Sequence, residues 1–425
     1  MLYLKDIFPK KVINSYEKTE HLRYRLVQLF VMVLPFDLLY SNIVLYLIIA
    51  TTLFDLNFRK LKEIPKQVWI FQLVYFLAVI GYFYSFNKGA AGFLMERQLT
   101  IFMLPLLLPL AFRMTEIRKK ELLHVFTVSL VLTICYLMVM ALVTVKTLGV
   151  PLKSIVSKEF FNHQFSAPIG IHAGYLSLYT SLCVLHISHL LMEKPSVLLK
   201  SFLVVCLLIL LIGLFFLASR NIIIATFLIF AFVFPWFFIK RKFIFFSFLF
   251  VFIISSYFVV SQIAYLSDRF SSDLITDIKL TDGSQYNFSG AEPRIKRWEC
   301  AFELIKQSPI TGYGTGDEIS MLKSQYIKNG LYISYLESFN AHNQYLSYAI
   351  KNGIIGLIIF LGTFTYYVWL SLRNRSYIYF SFLLLLLIGF FTENILDANK
   401  GIFFFAFFNT IFGYTLLNNQ KKNIE

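Results

Sequence analysis

Residues 202–218 read FLVVCLLILLIGLFFLA, and this stretch decides the fold class. It carries no charged, amide or hydroxyl side chain. A strand of a membrane barrel would alternate apolar and polar residues. A run that is apolar on every face is instead a helix buried on all sides or facing lipid. Crossing a bilayer takes roughly 20 such residues. The same texture recurs along the chain. Of the 425 residues, 58% are hydrophobic and only 15% charged, whereas soluble domains carry about a quarter charged residues.

Read by run length, the chain is expected to be all-α and polytopic, with about twelve transmembrane helices. Their expected positions are 25–40, 42–56, 67–84, 98–112, 121–143, 171–192, 199–218, 220–238, 243–263, 345–371, 377–393 and 401–417. The first 24 residues are polar and charged, with no small-residue cleavage site after a short apolar core. The first apolar run is therefore expected to be a retained helix.

Charge orients these spans. With the N-terminus in the cytoplasm, the inside segments hold 23 of the 39 Lys and Arg. Among them are FRMTEIRKKE at 112–121, IKRK at 239–242 and LRNRS at 372–376. This is the positive-inside pattern. The net charge of +15 thus sets topology, and no nucleic-acid partner is needed to explain it. Four parts follow: an N-terminal bundle of about nine helices over 1–263, a large outer loop over 264–340, about three C-terminal helices over 341–417, and a cytoplasmic tail at 418–425. The loop is nearly neutral, with ten acidic and eight basic residues, and loops of this length are exempt from the charge rule. Its size implies function.

Cys135, Cys183, Cys206 and Cys300 show no metal or redox spacing, and three of them sit in apolar runs, as small core residues do. Within the loop, Ile295, Trp298, Phe302 and Ile305 recur at helical spacing, opened by Pro293-Arg294 and closed by Pro309 and Gly312. They predict an amphipathic helix on or near the membrane surface. GYGTG at 312–316 lacks the Lys-Ser/Thr of a phosphate loop, so it reads as a glycine turn.

Residues 339–356, FNAHNQYLSYAIKNGIIG, place His342 and Asn343 before Gly353 and Gly356. On a continuous helix the two glycines rotate by about 20° and −40° from His342. They would then form a small packing stripe with Ala349 beneath it. Two arginines share the expected outer side: Arg220, between two apolar runs, and Arg294. The bland readings are an interfacial histidine with a satisfied hydrogen bond and an arginine snorkelling to headgroups. The chemical reading is that two guanidinium forks suit a pyrophosphate and one imidazole suits a general base. Outer carboxylates show no metal spacing, with Asp317 and Glu318 left open.

These residues resemble the O-antigen ligase and O-antigen polymerase superfamily, which includes bacterial O-linked protein oligosaccharyltransferases. Three motifs carry the resemblance. They are Ser219-Arg220, then Arg294-x3-Trp298 with Pro309-x2-Gly312-x-Gly314, and His342-Asn343-x9-Gly353-x2-Gly356. The resemblance implies glycan transfer at the periplasmic face of the bacterial inner membrane. The donor would be an undecaprenyl-pyrophosphate-linked glycan, gripped by Arg220 and Arg294. His342 would deprotonate an acceptor hydroxyl on lipid A-core, on a growing glycan or on a protein, with inversion and without cofactor or metal. Asn343, Gly353, Gly356 and Trp298 would support the site. Ligase, repeat-unit polymerase and protein transferase remain open. A transporter, a distant alternative, would need mid-span ionisable residues and repeat symmetry; the spans hold few charges and show no repeat symmetry. Whether His163 and His172 line the acceptor path is also open.

Overall fold

A computed structural model describes residues 15–54, 58–240, 243, 246, 247, 250 and 294–422. Among them there is no strand. Helix α1 spans Ser15–Val33 and α2 Leu38–Leu53. Then come α3 (Leu73–Tyr84), α4 (Lys88–Ala111), α5 (Glu116–Thr147), α6 (Ala173–Met192), α7 (Val197–Leu217) and α8 (Arg220–Phe238). Next follow α9 (Arg294–Gln307), α10 (Glu318–Lys328), α11 (Gln344–Arg373), α12 (Tyr377–Gly389) and α13 (Asn399–Lys422). The protein is thus an all-helical polytopic membrane protein. Seven helices, α4 to α8 with α11 and α13, are long and apolar enough to cross a membrane, while α2, α3 and α12 are shorter apolar helices. The expected span at 243–263 lies almost wholly outside the described residues.

Two of the expected spans are split in two, and α4 starts at Lys88, well before the expected 98. The expected span 25–40 is split: α1 ends at Val33, a turn follows, and α2 starts at Leu38. Pro35 cannot continue a helix in that register, and the Asp37 side chain caps α2 by accepting from Leu39 N at 2.8 Å. Stretch 67–84 is likewise two helices, Val68–Phe71 and α3. By contrast, Pro105 and Pro109 lie inside α4 without ending it, as neighbouring helices allow in a membrane bundle.

The core forms around α13. Residues 401–417 are buried without a break, which is why this helix can be apolar on all sides. Its phenylalanines pack against rings of the surrounding helices: Phe407 on Phe30, Phe408 on Phe126, Phe405 on Phe364 and Phe404 on Phe382. On the outside, α7 leaves Leu198, Phe202 and Leu208 exposed, an apolar face of the kind lipid covers.

α6, α8 and α11 all start at one end of the bundle and finish at the other. One cavity is lined by His172, Arg220 and His342, just before or at the start of these helices. A second is lined by Glu193, Phe238 and Asn374, at their far ends. At 1.5 Å per residue the 20-residue α6 separates the two by roughly 30 Å.

A buried ionic cluster ties α11 to its neighbours. Lys351 Nζ lies 3.0 Å from Glu318 Oε2 and 2.7 Å from Asp397 Oδ2. Ser347 Oγ donates to Glu318 at 2.6 Å, and Asn394 Nδ2 to Asp397 at 3.1 Å. Gln98 reaches from α4 to the Leu396 carbonyl at 2.8 Å. Removing one partner of a buried set leaves uncompensated charge, which costs about 3–5 kcal/mol. Lys351→Ala is therefore expected to lower thermal stability in detergent by that order. A thermal midpoint within a degree of wild type would contradict it.

Candidate active site

The segment before α11 places His342. His342 has φ +46°, a conformation uncommon for residues other than glycine. Its amide donates to Asn340 Oδ1 at 2.9 Å. Asn343, next along, is the N-cap: its Oδ1 accepts from Tyr345 N at 3.0 Å and Leu346 N at 3.1 Å. The His-Asn pair thus divides its labour, with Asn343 starting the helix while the turn releases the imidazole toward the cavity. Trp298 Nε1 donates to the Ala341 carbonyl at 3.0 Å. That bond docks α9, and with it Arg294, against the His342 turn.

The expected small-residue stripe is not what the glycines form. α11 is broken at Gly353, which has φ +62° and ψ −163°. The Pro309–Gly314 turn plugs into the break. Ile354 N donates to the Pro309 carbonyl at 2.8 Å, Tyr313 N to Ile350 O at 2.9 Å, and Gly314 N to Lys351 O at 2.8 Å. These bonds satisfy backbone groups that the kink orphans. So GYGTG is more than a plain turn: with Gly353 it joins the loop helices to α11. A Cβ on Gly353 would fall 2.1 Å from Ile310 O, and one on Gly312 2.4 Å from Ile350 O. Gly356 serves the same bend, since a Cβ there would sit 2.1 Å from Asn352 Cβ.

Helix α9 buries a face rotated from the expected one, although Trp298 and Ile305 still pack against it. Arg297, Cys300, Ala301 and Leu304 are buried, while Phe302 is exposed. The buried face packs with Leu322, Tyr326, Leu331, Ala341, Leu346 and Ile350. The described part of the loop therefore has its own small core, seated on α11.

All three expected chemical residues meet. Arg220, Arg294 and His342 line one cavity of about 220 Å³, together with Asn162, His163, His172, Ser219 and Glu393. Arg220 is the first residue of α8, and Asn221 beside it donates to the Ile388 carbonyl at 2.9 Å and Thr392 Oγ1 at 2.7 Å. That fixes the start of α8 to the end of α12, where Glu393 follows. Both histidines left open by the sequence are on the cavity wall. Their rings lie 4.3 Å apart, and His172 Nδ1 accepts from Gly174 N at 3.1 Å.

Sequence reasoning missed Glu393. Its Oε2 lies 3.5 Å from His342 Nδ1 and its Oε1 3.4 Å from Arg294 Nη2. The His342 contact is at charge-pair distance but poorly aligned for a hydrogen bond, and Nδ1 has no hydrogen-bond partner. Hydrogen bonds between catalytic groups often tighten only in the substrate complex. The signal was present in FFTENILDAN at 390–399, an acid at the outer end of an expected span, on the same side as Arg220, Arg294 and His342. Burial alone would raise the Glu393 carboxyl, but His342, Arg294 and His172 outweigh it and hold it below the usual carboxylate range. Burial, partly opposed by Glu393, holds His172 below the usual histidine range.

A depressed carboxylate contributes stability that is present above its unfolded value of 4.5 and lost as pH falls through the folded value. Glu393→Gln is accordingly expected to lose less stability than wild type between pH 5 and pH 3 in thermal unfolding. Parallel pH profiles would contradict it.

Asp317 and Glu318, left open as metal ligands, are committed elsewhere. Asp317 accepts from the amides of Phe86 and Asn87 at 2.7 and 2.9 Å, and Glu318 pairs with Lys351 and Ser347. Among the described residues no group of three or more His, Cys, Asp or Glu is arranged to hold a metal ion.

With the geometry in place, the comparison with known families is direct. Residues 203–361 match the family model described as O-antigen ligase. Over this segment the chain is similar to the O-antigen ligase superfamily. The matched segment begins in α7, contains Arg220, Arg294 and His342, and ends within α11 beyond the Gly353 kink. Glu393 lies outside it. None of the curated proteins matches the chain.

Proposed function

We propose that this membrane protein moves a glycan from undecaprenyl pyrophosphate to a hydroxyl of lipid A-core, at the periplasmic face of the bacterial inner membrane. The observation that carries the reading is the convergence of Arg220, Arg294, His342 and Glu393 on one cavity at one end of the bundle. The match of residues 203–361 to the O-antigen ligase family model supports a glycan and a lipid-linked substrate. The positive-inside pattern supports cytoplasmic termini and a periplasmic site. On this reading the described residues within 1–263 and 341–417 form the bundle, and those within 264–340 lie over its outer mouth.

The proposed chemistry is a single displacement. His342 Nε2 takes the proton of the acceptor hydroxyl, and the freed oxygen attacks the anomeric carbon. The bond from that carbon to the pyrophosphate oxygen breaks on the opposite face, so the linkage inverts. Arg220 and Arg294 stabilise the charge that develops on the leaving pyrophosphate, which bidentate guanidinium groups match in geometry. Glu393 faces Nδ1, where it holds a proton and leaves Nε2 free as the base. It also neutralises the imidazolium that forms. The leaving group is good and arginines bear its charge, so no metal is required by this scheme.

Deleting the protein separates ligase from polymerase. Finished polymer on the lipid carrier should accumulate, with lipid A-core left bare. Accumulation of single repeat units on the carrier would instead assign the protein to polymerisation.

A further inference from the structure

The second cavity, of about 390 Å³, lies at the end of the bundle opposite the active site. It is walled by the start of α5, the end of α6, the end of α8 and the turn from α11 into α12. We infer that this cavity binds a phosphate-bearing anion, in the first place the headgroup of an anionic phospholipid in the leaflet at that end.

Three independent features converge. First, His186 lines the cavity and is only 2% exposed, yet neither ring nitrogen has a hydrogen-bond partner. Its neighbours are rings and apolar groups, among them His124 at 5.2 Å. A buried, unsatisfied imidazole is costly unless something enters to meet it. Second, α12 presents its N-terminus to the cavity through Ser376, Tyr377 and Ile378, and Ser376 makes no side-chain cap. An uncapped N-terminus of a 13-residue helix offers free amides and a positive dipole end to an anion. Third, the rim is cationic. Lys119, Lys120 and Arg375 line it against Glu116 and Glu193. The lysines are paired, Lys119 with Glu116, and Lys120 with Glu193 at 2.9 Å. The exposed Arg375 side chain at the mouth has no ion pair with any described residue, so its charge is available to a ligand.

One part of the wall is apolar, with Leu123, Leu190, Phe237 and Phe238, while His189, Asn374 and Asn419 add polar groups. A lipid headgroup fits that combination: phosphate toward Arg375 and α12, glycerol and the first methylenes toward the phenylalanines. A free phosphate would use only the polar half. The site is also at the end that the charge pattern assigns to the cytoplasm, where anionic lipid and basic side chains meet.

The test is native mass spectrometry of the full chain in neutral detergent. The probes are dioleoyl-phosphatidylglycerol, dioleoylglycerol as the phosphate-free control, and inorganic phosphate. One phosphatidylglycerol should be retained in preference to dioleoylglycerol. Arg375→Gln, an exposed change that leaves packing intact, should weaken that retention about tenfold, the scale of one lost charge-assisted hydrogen bond. Millimolar inorganic phosphate that displaces the lipid would assign the site to free phosphate; phosphate without effect would assign it to the headgroup. His186→Gln, checked for an unchanged thermal midpoint, should alter retention as well. Equal retention of phosphatidylglycerol and dioleoylglycerol, or of phosphatidylglycerol by wild type and Arg375→Gln, would overturn the inference.

Discussion

His342→Ala should lower glycan transfer by about 10²–10⁴-fold, the range that a positioned general base supplies, while the protein reaches the membrane in wild-type amount. The loss should fall on kcat. On the proposed mechanism Arg220 and Arg294, not His342, grip the donor pyrophosphate, so KM for the donor should move little. The change is structurally mild because His342 contributes no cap and no core packing: Asn343 starts α11, and the histidine side chain borders the cavity. Alanine tolerates φ +46° no better than histidine does, so part of any stability change belongs to the backbone. His342→Asn, whose side chain favours that conformation, controls for it. Transfer within a few-fold of wild type in both variants would remove the histidine from the chemistry.

Gly353→Ala should act through a different route and cost more in stability. The backbone there lies in a region open essentially to glycine alone, and forcing a side chain into it costs on the order of 1–3 kcal/mol. The added Cβ would also meet Ile310 O at 2.1 Å and Ile310 C at 2.3 Å. Those are backbone atoms, so no rotamer change relieves the clash. The Pro309–Gly314 turn must move out, and with it the bonds to Ile350, Lys351 and Ile354. We expect a total of about 3 kcal/mol or more, read as a lower thermal midpoint and less folded protein in the membrane. Activity should fall together with stability, since α9 and Arg294 dock through the same segment. Gly362→Ala in the same helix meets nothing within 4 Å and is the matched control. A Gly353→Ala protein as stable as the Gly362→Ala protein would contradict this account of the kink.

These two residues also mark what the sequence disclosed and what it withheld. The long apolar runs were legible because a membrane helix must satisfy its own backbone and present apolar groups outward. Run length therefore located helices along most of the described chain. It failed at 25–40, where Pro35 and the Asp37 cap break the run without changing its hydropathy. Arg220, Arg294 and His342 were legible as a set because charge topology placed them on one side. Their shared cavity depends on Trp298 and Asn221, whose bonds reach across 43 and 167 residues, and no local pattern encodes such pairings. Gly353 and Gly356 were seen, but their role was misread. Helical periodicity assumes a continuous helix, and the same glycines that make a packing stripe also permit a break. Lys351 was passed over inside the expected span 345–371, because its partners Glu318 and Asp397 come from distant segments. Glu393 was overlooked as the polar end of a span.

The most direct test of the central claim is reconstitution. Purified protein in liposomes would be given a glycan on undecaprenyl pyrophosphate and lipid A-core as acceptor, in buffer containing chelator. The account predicts glycan on lipid A-core, released undecaprenyl pyrophosphate in equal amount, an inverted linkage, and loss of all three with Arg220→Ala, Arg294→Ala or His342→Ala. Transfer that survives all three substitutions, or that lengthens the carrier-bound chain and leaves lipid A-core untouched, would contradict it.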